Sequence, residues 1–243
     1  MNRQEAEKLA KCVEIATVRA LTAQYARDII KAEWDESLHP RDNSGRFCAA
    51  DGTGGGADNS SSSTTFGGAS TQEFSEAVGA AKISIHDESV SWRVTEHSVD
   101  ELEQHYQGAK LHITEGGSTV AVTTDGDIIS VCGNKNDSLR GKDLLKLAVD
   151  NGGTKLDAYS GLYGFYRKCG FEPVSWCKFD ERWAPKDWNK KRDDSEPIIF
   201  WKYTGNFSSK SKNELEIECI DFCREGTESS DYDEAQAVRD RSM

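Results

Sequence analysis

Leu162-Tyr163-Gly164-Phe165-Tyr166-Arg167-Lys168-Cys169-Gly170-Phe171-Glu172-Pro173-Val174 is the stretch that decides the fold. Residues 162–169 are predicted to coil into a short helix. Gly170 stands where a helix ends in the left-handed conformation that glycine adopts without a Cβ penalty. A strand is predicted from 172 to 179, with Phe165, Phe171 and Val174 directed into the core.

Working outward, two tight turns, Gly116-Gly117 and Asp125-Gly126, separate the runs 110–114, 118–124 and 127–133. Such turns supply the positive φ that short hairpins need, so these runs read as three strands of an antiparallel meander. A helix at 138–149 follows, closed by Gly152-Gly153. Then come a strand at 155–159, the helix and strand quoted above, and a last strand at 197–203. The expected fold class is mixed α/β, an antiparallel meander followed by a strand–helix–strand–helix–strand unit. Ahead of the meander, Ser98-Val99-Asp100-Glu101 is a capping-box pattern that opens a short helix. Residues 82–86 alternate like a short strand, although 77–81 could begin them as a helix.

Nearer the N-terminus, Leu9, Val13, Ala16 and Ala20 fall at helical spacing, and a helix is expected over 3–33. An irregular turn segment follows to 47. From 49 to 70 the chain is almost wholly Gly, Ser, Thr, Asp and Ala, a composition with nothing to bury. The expected domains are an N-terminal helix and turn segment at 1–48, a flexible linker at 49–72, a folded domain at 73–205, and an acidic, largely disordered tail at 206–243.

Only 36% of residues are hydrophobic, too little for the whole chain to be packed core. The net charge of -12 argues against nucleic acid or an anionic membrane as a partner, since both need a basic face. From Lys212 to Met243 there are ten acidic residues against four basic ones. Seven cysteines make an odd count without a CxxC pair, which suits reduced thiols in the cytoplasm better than a zinc site or a disulfide framework. His86, His97, His105 and His112 show no metal-ligand spacing, and no metal is expected. Trp176, Trp183, Trp188 and Trp201 surround the last two strands, either packing a loop over the sheet or forming a ligand cage.

The run from Tyr166 to Gly170-Phe171, with its preceding order of elements, resembles the signature helix of GCN5-related N-acetyltransferases over about half the chain. That resemblance implies acyl transfer from acetyl-CoA to the amine of a protein or small molecule. In the family two neighbouring parallel strands splay apart to receive the arm of coenzyme A, here 127–133 and 155–159. Backbone groups of Ile129, Ser130, Val131 and Cys132 would then hold pantetheine. The helix start at Ser138, Arg140, Gly141 and Lys142 would hold phosphates through its free N–H groups and dipole. Tyr166 would protonate the departing thiolate. Glu115, in the first hairpin turn, reads either as a general base or as a solvated turn carboxylate. One part departs from the family: where its phosphate loop has two small residues, this chain has Asp143 and Leu145 if Arg140 opens the motif, or Gly141 and Asp143 if Ser138 does.

Two further segments, Leu38-His39-Pro40-Arg41-Asp42-Asn43-Ser44-Gly45-Arg46-Phe47 and Phe179-Asp180-Glu181-Arg182-Trp183-Ala184-Pro185-Lys186-Asp187-Trp188, resemble parts of bacteriophage and prophage proteins. They imply a phage origin, work in the bacterial cytoplasm, and a phage or host protein partner. The alternative function is a catalytically silent binding module or virion-associated protein of the same fold.

Overall fold

The computed structural model describes residues 66–243; the expected N-terminal helix and most of the expected linker lie outside the described residues. The meander forms as read. Strands β1 (Lys110–Ile113), β2 (Thr119–Val122) and β3 (Ile128–Cys132) pair antiparallel in that order. Gly117 (φ +82°) and Gly126 (φ +87°) close its two hairpins, their N–H groups donating to Thr114 and Thr123 carbonyls. Every residue of β2 is buried, because both faces of the meander are covered.

A second antiparallel sheet holds β4 (Lys155–Tyr159), β5 (Phe171–Cys177) and β6 (Ile198–Tyr203) in the order β4-β6-β5. The last strand in sequence is thus the central one, and its Ile199, Phe200 and Trp201 are fully buried. The architecture is a mixed α/β fold with two small antiparallel sheets flanked by helices. The sheets touch through one parallel bridge, Asp127 with Lys155, beside which the Thr154 and Lys155 N–H groups donate to the Gly126 carbonyl at 2.8 and 3.2 Å.

The first helix, α1 (Thr71–Ile85), corrects two expectations. Residues 82–85 are helical rather than a strand, and the expected linker ends before 71. Ser70 and Glu73 form a capping box, and Phe74, Val78 and Ala81 bury at helical spacing; together they outweigh the local alternation. After the one-turn α2 (Glu88–Ser91), α3 (Val99–His105) begins at the expected Ser98–Glu101 box. On the other side of the sheets lie α4 (Gly141–Asp150) and α5 (Tyr163–Lys168), the latter ended by Gly170 at φ +88°. Leu144, Leu145 and Ala148 of α4 and Tyr163 and Tyr166 of α5 join Val120, Ile128, Leu156 and Trp201 in one core that runs beneath both sheets.

The acidic tail is not disordered. It forms α6 (Lys212–Glu225) and α7 (Tyr232–Arg241). Its apolar residues are few but placed where they count: Leu215 is buried, Cys219 and Phe222 pack on the main core, and Ala235 packs with Phe200 and Cys177. Its acids have structural uses. Glu214 completes a capping box with Ser211, Asp231 caps α7, and Glu218 accepts from Tyr163, Arg167 and Lys210. Between the helices, Thr227 and Ser229 exchange backbone hydrogen bonds with Trp176 and cover the outer edge of β5. Among the described residues no helix is long and apolar enough to cross a membrane.

Arg239, only 1% exposed, ties this tail to the junction of the sheets by a two-pronged ion pair with Asp127 at 2.8 and 2.7 Å. Removing one partner of a buried pair leaves the other charge uncompensated. Arg239→Ala should therefore cost about 3–5 kcal/mol of stability in urea unfolding. A loss below about 1 kcal/mol, the range of exposed pairs, would mean that α7 is not docked in this way.

Candidate functional site

Beyond the Asp127–Lys155 bridge, β3 and β4 share no further strand pairing among the described residues, so a wedge opens between them. One wall is irregular. Between the pairs Thr119 with Cys132 and Ala121 with Ile129, β3 carries one residue more than β2, a bulge in which Ser130 takes φ +52°. A non-glycine residue held there is strained, and the Ser130 hydroxyl is buried without a hydrogen-bond partner. The four sequence-predicted pantetheine contacts, Ile129, Ser130, Val131 and Cys132, therefore lie together on this wall. Burial pushes the Cys132 thiol up to about 12, so it is not a nucleophile at neutral pH.

Tyr166 projects from α5 into the core beneath the wedge. It is 7% exposed, and its ring packs against Trp201 at 5.6 Å, Phe171 at 6.0 Å and Phe165 at 5.2 Å. Burial, followed by the negative charge of Asp157, raises its phenol well above the usual range. Such a phenol keeps its proton at neutral pH, as a proton donor must.

The expected phosphate end is less open. At the start of α4 the Asp143 carboxylate accepts the Arg140 N–H at 2.9 Å, so the helix carries its own anion where a phosphate would bind. The Phe165 ring lies over the first turn, 3.1 Å from where a Cβ on Gly141 would stand. Ser138, Arg140 and Lys142 are exposed around it. Glu115 is exposed in the β1–β2 turn, on a hairpin that packs against Asp137, and it makes no contact with Tyr166. The tryptophans do not gather into one cage: Trp201 is core, Trp188 packs on Phe179 at 5.1 Å, and Trp183 is 82% exposed.

The other face of the sheets offers a second space. Here the apolar packing splits into two clusters, α1 and α3 over the meander and α7 over the second sheet. Between them lies a cavity of about 280 Å³ whose lining includes Tyr106, Asp127, Ile129, Asp157, Tyr232 and Gln236. No known protein family, curated protein or solved structure matches the chain.

Charges around the cavity are sorted by their partners. Lys155 contacts Asp125 at 2.7 Å, Asp240 at 3.1 Å and Asp127 at 3.7 Å, while Arg239 pairs with Asp127 and Asp240. Hydrogen bonds from Lys155 and Thr123 hold the Asp125 carboxyl down at about 2. Burial pushes Asp127 up against the pull of Arg239. Asp157 makes no ion pair among the described residues: its side-chain partner is the Tyr232 hydroxyl at 3.0 Å, and Arg239 acts on it from farther away. Burial, then the neighbouring Asp127 charge, raises its carboxyl to about 6. Sequence reading gave Asp157, Tyr106 and Tyr232 no site role. No local motif joins them, and Tyr232 belongs to the tail expected to be disordered.

A carboxyl raised on folding contributes stability that is fully present below its unfolded value and is lost as pH rises through its folded value. For Asp157 that window runs from 3.8 to about 6. Asp157→Asn is therefore expected to stabilise the protein at pH 7.5 by about 1–3 kcal/mol and to change it little at pH 4. Melting curves at the two pH values check this; equal shifts at both would show that Asp157 is not raised.

Proposed function

We propose that the described domain is an acyl-CoA-dependent N-acyltransferase of the GCN5-related type, moving an acetyl or similar group to an amine. The observation that carries this reading is the wedge: two parallel-starting strands that part after one bridge, with a bulge on one side and Tyr166 beneath. Parted strands would leave backbone groups able to bind the amide-bearing arm of coenzyme A, and Ile129, Ser130, Val131 and Cys132 would supply them.

The residues have separable tasks. Backbone N–H groups at the bulge would stabilise the oxyanion formed when the amine attacks the thioester carbonyl. The C–S bond would break as Tyr166 gives its proton to the departing thiolate, and the proton that the attacking neutral amine loses would return to the Tyr166 phenolate. Arg140 and Lys142, exposed near the start of α4, would be the cations that meet phosphate. A phage or host protein partner and a cytoplasmic site of action belong to the same proposal.

A second reading is favoured by one specific observation. Asp143 caps the helix that should meet the pyrophosphate, and Phe165 covers its first turn. A domain of this fold that no longer binds coenzyme A would be a protein-binding module.

Calorimetry of the full chain with acetyl-CoA separates the two. The enzyme reading expects micromolar binding, weakened by Lys142→Glu. It also expects Tyr166→Phe to lower acetyl transfer to an amine panel by about 10²-fold with an unchanged melting temperature. No binding by folded protein would leave the binding module.

A further inference from the structure

We propose that the cavity between α3 and α7 is a binding site for a small primary alkylammonium cation, with the Asp157 carboxylate as its counter-ion. The acidity of the neighbourhood is not the argument, because Asp125 and Asp127 are already compensated by Lys155 and Arg239. What remains is a space holding one half-buried carboxylate that makes no ion pair among the described residues: Tyr232 donates to it, and Arg239 acts on it only from a distance.

The ligand class follows from the lining. A metal ion prefers several oxygen ligands, and the other carboxylates here are engaged. An ammonium needs one carboxylate and a few neutral acceptors, which the Tyr106 and Tyr232 hydroxyls and the Gln236 amide can supply. Tyrosine faces also attract cations. Both rings are held by edge contacts, Tyr106 on His97 at 4.8 Å and Tyr232 on Phe200 at 4.9 Å. The volume of about 280 Å³ suits a short alkyl chain rather than a large ligand. A net charge of -12 draws cations toward the protein.

On the acyltransferase reading this cavity is the acceptor side, since Ile129 and Asp157 belong to the two strands of the wedge and Tyr166 lies beneath its opposite face. The cation site itself does not depend on that reading. Binding should strengthen as pH rises from 5 to 8 while Asp157 ionises. The other titratable groups that line the cavity are His105, Tyr106, Asp125, Asp127 and Tyr232, and Lys155, Arg239 and Asp240 form the ion-pair network that holds Asp125 and Asp127.

The test is titration of the ¹⁵N-labelled full chain with n-butylammonium at pH 5 and 8, with butyrate as the charge control. Saturable shifts at Ile129, Asp157, Tyr232 and Gln236 are expected with n-butylammonium alone, tighter at pH 8 and weakened at least tenfold by Asp157→Asn. A melting curve establishes that the variant is folded, and Tyr232→Phe should weaken binding less than Asp157→Asn. No saturable shift at pH 8, or shifts that Asp157→Asn leaves intact, would overturn the proposal. Ammonium binding without acetyl-CoA binding would uphold the site and defeat the acyltransferase reading; the reverse would do the opposite.

Discussion

The two sheets are joined to each other at one short junction, where Asp127 bridges Lys155 and Arg239 reaches in from the last helix to pair with Asp127. Much of the architecture is organised about this point. The bridge fixes where β3 and β4 begin side by side, and so fixes where the wedge opens. Arg239 neutralises Asp127 and docks α7, so that Tyr232 and Gln236 come to stand over the cavity. Lys155 completes the arrangement by taking up Asp125 and Asp240. A cluster of acids that would otherwise repel is thereby joined through two cations, with Asp157 left without an ion pair among the described residues.

The two faces of the fold are used differently. On one, a continuous apolar core under α4 and α5 welds both sheets together and buries the Tyr166 ring. On the other, the apolar clusters are separate, and the gap between them is polar. A gap of this kind is stable only if its polar groups find partners. Tyr232 and Asp157 find each other, while the Ser130 hydroxyl on the bulge does not. Ser130 thus brings both a left-handed backbone and an unpaired hydroxyl to the wedge.

Local chemistry made part of this legible. The two glycine-containing turns specify the meander, because positive φ is inexpensive for few other residues. Gly170 ends α5 where expected, and the Ser98–Glu101 box opens α3. Local reading failed in two places. At 82–86 the alternation is real, but the buried Phe74, Val78 and Ala81 and the Ser70–Glu73 cap commit the segment to a helix. In the tail, composition suggested disorder, since acids outnumber apolar groups. The few apolar residues nevertheless meet complementary surfaces, and the acids serve as caps and as partners for Arg167 and Lys210.

The sequence alone determined the meander, the helix–glycine–strand unit and the mixed α/β class, because each rests on hydrogen bonds and dihedral preferences within a few residues. Only the tertiary structure decided that β6 lies between β4 and β5, that β3 and β4 part after one bridge, and that Arg239 meets Asp127 across 112 positions. Such pairings depend on which surfaces remain unburied once local elements have formed. The candidate site, built from Asp157, Tyr106 and Tyr232 on three separate elements, belongs wholly to that second kind of information.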